Sequence, residues 1–81
     1  MNRTEDLKQV FVEALGIDPA TDTDRIVYGQ TQGWDSTAHM GLVAGIENRF
    51  DIMLDTQDLI DMSSFRKATE ILGKYGVSFN T

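Results

Sequence analysis

The apolar positions Leu7, Val10, Phe11, Ala14 and Leu15 recur at the i, i+3, i+4, i+7, i+8 spacing of a helix with one buried stripe. Thr4 is placed to cap its start, with Glu5 and Asp6 near the positive end of the helix dipole. The run stops at "LGIDP": Gly16 suits the left-handed position after a helix, Ile17 can fold back on the last turn, and Pro19 prevents continuation. From Asp18 to Gly33 no periodicity is sustained. Loops of that length are uncommon in small domains and are usually functional or disordered. Ile26, Val27 and Tyr28 argue for order by pinning the middle of the segment to the core, so it reads as a crossover between two helices.

A second helix is predicted over Ser36 to Phe50. Leu42, Val43, Ile46 and Phe50 cluster on one side, with His39 near the centre of that side and Met40 at its edge. The opposite side carries Thr37, Gly41, Ala44, Gly45 and Asn48, a small and uncharged face. Each interior glycine costs about 1 kcal/mol relative to alanine, so the face is either a tolerant surface or one against which another body packs closely. "DTQDLIDM" reads as a short helix capped by Asp55, with Asp58 in its first turn. In "SSFRKATEILGKYG", Ser64 caps a last helix whose stripe is Phe65, Ala68, Ile71, Leu72 and Tyr75, and Gly76 stops it. No strand alternation or internal repeat interrupts this pattern. The expected fold is all-α, three main helices and one short one in a small bundle with a long first loop.

Composition narrows the function. Eighty-one residues make one domain, spanning 1–81, and the absence of cysteine excludes disulfides and thiolate metal sites. Apolar residues at 41% and charged residues at 25% are ordinary for a globular domain. No apolar run approaches the ~20 residues that cross a bilayer, and the polar start "MNRTEDLKQ" lacks a signal segment, so a cytoplasmic protein without membrane contact is expected. The formal net charge of -6 opposes binding to nucleic acid phosphates and suits partners with basic surfaces. With one histidine and acids scattered along the chain, catalytic equipment is thin, and the chain does not read as an enzyme.

The candidate chemistry lies in "GWDSTAHMGLVAGIENRF". Asp35 followed by Ser36 is by itself an ordinary helix start. Its context adds more: with Asp35 as N-cap, Trp34 and His39 occupy the two positions of a hydrophobic staple, which fixes how the chain enters the helix. Ser36 is then held at an exposed helix mouth, where free N–H groups and the dipole favour a phosphate ester on its oxygen by ~0.3–1 kcal/mol.

These residues, followed by "DIMLDTQDLIDMSSFRKATEIL", resemble the acyl carrier proteins and their peptidyl carrier relatives, and the resemblance covers nearly the whole chain. It implies a four-helix carrier whose motif serine, here Ser36 with Asp35 beside it, receives 4′-phosphopantetheine from coenzyme A through a separate phosphopantetheinyl transferase. The thiol of the arm then carries acyl groups as thioesters between ligases and transferases. The docking surface implied is the second helix with the short third one: Thr37, Met40, Gly41, Ala44, Glu47, Asn48, Asp55 and Asp58. A monomer that docks through its acidic surface, more weakly as salt rises, is expected. Two departures are visible: Thr37 stands where the family usually has Leu, and the exposed face of the second helix lacks the acids of housekeeping fatty-acid carriers, with Glu47 at one flank and Arg49 answering it. The "WDS…H" form is more similar to discrete carriers of specialised pathways.

Other readings of the residues compete with this one. His39, inward and in staple position, reads as a packed or hydrogen-bonded residue rather than a general base. Neither "DPATDTD" nor "DIMLDTQD" has the D-x-[DN]-x-[DN]-G run closed by Glu of a calcium loop. Phe11, Met40, Phe50, Phe65 and Leu72 read as core, and Met53, Ile60 and Met62 as flexible lining near the arm. An aminoacyl or peptidyl carrier and a cofactor-free helical adaptor, binding through the small face of the second helix, stay open as alternatives.

Overall fold

In the computed structural model, which describes residues 3–77 and 79, four helices account for the regular structure: α1 Thr4–Leu15, α2 Ser36–Phe50, α3 Thr56–Asp61 and α4 Phe65–Gly73. Among the described residues there is no β-strand, only an isolated antiparallel bridge between Val27 and Ser64. The domain is all-α, as its periodicities predict.

The helix ends follow local chemistry. Asp35, Asp55 and Ser64 each adopt an extended backbone, and their side-chain oxygens accept from the amides of Ala38, Asp58 and Lys67 at 2.8, 2.9 and 3.0 Å. Gly16 closes α1 at φ 68 and donates to Val12 O. Two boundaries differ from expectation. Thr4 does not cap α1: the N-cap position is Arg3, in helical conformation and without a side-chain cap bond, and the Thr4 hydroxyl instead reaches Phe79 O at 3.4 Å. Gly76 does not directly end α4, which stops at Gly73; Lys74 to Gly76 form a turn that finishes with Gly76 at φ 88.

The apolar stripes meet in one core. Leu7, Val10, Phe11 and Leu15 of α1 face Leu42, Val43, Ile46 and Phe50 of α2, and Phe65, Ala68, Ile71 and Leu72 of α4 close it. Burying such a side chain contributes ~1.5–3 kcal/mol, which is how a small domain without disulfides offsets its chain entropy. Phe11 lies at the centre, edge-on to Trp34 at 5.6 Å and tilted on Phe65 at 5.0 Å. Met40 departs from the core reading and is 59% exposed.

The crossover is ordered. A single 3-10 turn at Thr23–Arg25, capped by Asp22, leads to Ile26, which is fully buried. Ile26 O accepts from Phe65 N at 2.9 Å, and Tyr28 N donates to Ser63 O at 2.8 Å, so the loop is stitched to the start of α4. This stitching places Tyr28 beside the mouth of α2. At Gly45 the small face of α2 does meet another body, and that body is α1: a Cβ there would stand 2.9 Å from Val10 Cγ1. Arg49 does not answer Glu47. It crosses to α1, reaching Asp6 at 3.0 Å and Gln9 at 2.8 Å. The Arg49 guanidinium beside Asp6, aided by Arg3, holds that carboxyl below its ordinary range.

Candidate functional site

Ser36 is the first residue of α2 and is exposed. The three residues before it set its position. Gly33, at φ 92, turns the chain so closely under α1 that a Cβ would meet Leu15 O at 2.7 Å. Trp34 then plunges into the core at 4% exposure, and Asp35 caps the helix. The amide of Ala38 is taken by Asp35, and that of His39 by Asp35 O at 2.8 Å, while those of Ser36 and Thr37 have no partner among the described residues. The serine hydroxyl thus stands at the positive end of a fifteen-residue helix.

His39 continues the arrangement inward. The indole N–H of Trp34 is a donor only, and it reaches His39 Nδ1 at 3.0 Å with the two ring planes within 18°. His39 Nδ1 must therefore accept, which leaves the proton on Nε2 to be donated to Leu59 O at 2.8 Å. Both ring nitrogens are occupied, so His39 is a structural tie between α2 and α3 with no free nitrogen to act as a base. Tyr28 covers this pair, edge-on to Trp34 at 5.5 Å and to His39 at 6.0 Å.

Beside Ser36 an open groove of about 410 Å³ runs between α2 and α3. Its walls are Tyr28, His39 and Met40 on one side and Leu59, Ile60 and Met62 on the other, with Thr56 and Ser63 adding hydroxyls. Met40 at 59% and Ile60 at 69% exposure form its apolar lips, and Met62, 1% exposed, lies at its base. Ile60 and Met62 thus lie where the lining was expected. Met53 does not: it is 83% exposed and does not line the groove.

Most of the residues expected to dock partners are exposed, and Asp58 is not. Met40 joins Ser36 in the groove, while Thr37, Gly41, Ala44 and Asn48 lie exposed on α2, and Gly41 and Asn48 border a separate hollow against α1. Asp55 is exposed with one oxygen capping α3, and Glu47 accepts from Leu54 N at 2.9 Å. Asp58 is a correction: it is 2% exposed, its two oxygens taken by Lys74 Nζ at 2.6 Å and Tyr75 Oη at 2.5 Å, so it offers nothing to a partner. The Lys74 ammonium and Tyr75 hydroxyl bonded to it hold its carboxyl below the ordinary aspartate value. The same bonds raise the Lys74 ammonium and the Tyr75 hydroxyl.

Spacing within the sequence placed Ser36, Asp35, Met40 and His39 at this end of the molecule. It did not reveal Tyr28, Thr56 or Ser63 as groove walls, because loop stitching and the α3 position bring them there. Among the described residues no group of three or more His, Asp or Glu side chains is arranged to hold a metal ion, and no helix is long and apolar enough to cross a membrane. No family model matches the chain, and no solved structure matches it significantly.

Proposed function

We propose that the protein is a carrier of the acyl-carrier kind, in which Ser36 receives 4′-phosphopantetheine from coenzyme A and delivers the group borne on that arm to partner enzymes. One observation carries the reading: an exposed serine hydroxyl, fixed at the positive mouth of α2, opens directly onto an apolar groove. A phosphodiester on Ser36 Oγ fits the residues around it. The amides of Ser36 and Thr37, unpartnered among the described residues, are available to anionic oxygens, and one oxygen of the Asp35 carboxylate is engaged by Ala38 N. When attached, the arm supplies the thiol that this cysteine-free chain lacks. The chain's own part is presentation: Asp35 and the Trp34–His39 tie hold the hydroxyl in place, and the groove shelters the apolar portion of what is carried.

The resemblance to acyl carriers over Gly33 to Leu72 supports the same reading, as does a site whose residues leave no nucleophile paired with a base. The exposed face of α2 and the lips of the groove form the docking region. Incubation with coenzyme A, Mg²⁺ and a phosphopantetheinyl transferase, followed by intact mass, tests the proposal. A gain of one phosphopantetheine, abolished in Ser36→Ala, is expected. No gain with several transferases favours the cofactor-free adaptor, and loading of the holo form by candidate ligases separates acyl from aminoacyl cargo.

A further inference from the structure

Sulfur is distributed unevenly around Ser36. The chain has four methionines and no cysteine, so a two-electron oxidant meets thioethers where other chains offer thiols. Three of the methionines are among the described residues, and their surroundings differ. Met62 is 1% exposed at the base of the groove. Met53 is 83% exposed in the connection between α2 and α3 and does not line the groove. Met40 combines the two properties: it lines the groove together with Ser36, and it is 59% exposed. Ser36 and Met40 stand four residues apart on α2, so they are neighbours on one helix face with Cβ atoms about 5–6 Å apart. Long side chains on a helix lean toward its N-terminus, which carries the Met40 thioether over the turn that bears Ser36.

We propose that Met40 is a site of reversible oxidation that switches the groove lip beside Ser36 from apolar to polar. The oxidant is a peroxide. A lone pair on Met40 Sδ takes one peroxide oxygen, the O–O bond breaks, and hydrogen peroxide leaves as water. Sulfur gives up two electrons, the peroxide accepts them, and the thioether becomes a sulfoxide. Reversal requires a methionine sulfoxide reductase supplied with a dithiol, which removes the oxygen as water and ends as a disulfide. The sulfoxide is polar, so the oxidised side chain no longer presents an apolar surface to the groove. Resting on the carrier reading, the consequence falls on the cargo: an apolar group borne at Ser36 loses the wall one helical turn from its attachment and is held less well. The relation runs both ways, because a group lying in the groove covers Met40 and slows its oxidation. Met53 takes up the same oxygen without touching the groove, and Met62 is sheltered from it.

Dilute hydrogen peroxide at neutral pH, followed by proteolysis and mass measurement of the methionine peptides, tests the site. Met40 and Met53 are expected to gain one oxygen about tenfold or more faster than Met62, in line with their exposure, and a methionine sulfoxide reductase with dithiothreitol is expected to remove it. Oxidation of Met40 as slow as that of Met62 overturns the proposal.

The effect on the groove is read with N-phenyl-1-naphthylamine, a neutral apolar fluorophore, so no transferase is needed. Met40→Gln mimics the polar lip, and Met40→Leu keeps it apolar and cannot be oxidised. Loss of one partly exposed apolar wall is expected to raise the Kd of the fluorophore about threefold or more, in Met40→Gln and in the peroxide-treated parent. Met53→Gln and peroxide-treated Met40→Leu are expected to bind as the untreated parent does. Equal weakening in Met53→Gln, or weakening of Met40→Leu by peroxide, overturns the switch. Failure of the carrier reading is seen separately, as the absence of a mass gain at Ser36.

Discussion

Replacing Gly33 by alanine separates backbone strain from collision at the point where the chain turns toward Ser36. Gly33 and Gly29 have nearly the same backbone, φ 92 and φ 88, but a Cβ on Gly33 lies 2.7 Å from Leu15 O, whereas one on Gly29 has nothing within 4 Å. Left-handed conformation costs a non-glycine residue ~1–2 kcal/mol, and both variants incur that cost. Gly33→Ala adds a clash with a backbone oxygen at the end of α1, which cannot rotate away as a side chain can. Overpacking of this kind costs ~1–3 kcal/mol. Gly29→Ala is therefore expected to lose ~1–2 kcal/mol and Gly33→Ala ~2–5 kcal/mol. For a domain of this size each kcal/mol lowers Tm by about 4–8 °C. Urea denaturation at unchanged slope gives the difference directly. If Gly33→Ala is no less stable than Gly29→Ala, the close approach of the Gly33 turn to α1 is not what positions Trp34, Asp35 and Ser36.

Other consequences follow from the same geometry. Gly41 has helical neighbours and open space where a Cβ would stand, so Gly41→Ala is expected to stabilise by ~1 kcal/mol in the same urea assay. Asp35→Ala removes the cap on Ala38 N and is expected to cost ~0.5–2 kcal/mol, with slower modification of Ser36 as its helix mouth frays. The Asp58 carboxyl is lowered by Lys74 and Tyr75, so its stabilising contribution is complete above the unfolded value of 3.8 and is withdrawn as pH falls through the lower folded value. Lys74 and Tyr75 are raised, so their contributions are complete below their unfolded values of 10.5 and 10.0 and are lost as pH rises through the folded ones. Asp58→Asn should accordingly be less stable than the parent at neutral pH, with the gap narrowing in acid denaturation below pH 3.8; a constant gap contradicts the assignment.

The local rules of the chain made much of this fold legible. Stripe spacing located α1, α2 and α4 and a capping pattern located α3, and Asp35, Asp55, Ser64 and Gly16 serve as the caps their residue types suggest. Ser36 at the mouth of α2 was readable for the same reason. What escaped depends on partners distant in sequence. Asp58 looks like a solvated first-turn acid until α4 brings Lys74 and Tyr75 over it, sixteen and seventeen residues away. Thr4 resembles a cap, but Arg3 continues the helical backbone and takes the N-cap position, while the Thr4 hydroxyl reaches Phe79 O, seventy-five residues away. The glycine-bearing face of α2 left open that another body packs closely on it but did not name Val10 of α1 as that body, because the contact is set by how two helices cross. The second side of the groove was hidden for a similar reason: Tyr28 and Ser63 meet it through backbone pairing of a segment with no periodicity.

The central claim is that the Ser36 hydroxyl is an attachment point, and intact mass after reaction with coenzyme A and a phosphopantetheinyl transferase tests it most directly. The account predicts one added phosphopantetheine on the parent chain and none on Ser36→Ala, while the alanine variant keeps the parent's thermal midpoint. An unmodified parent across several transferases, or an equal gain on the alanine variant, contradicts it.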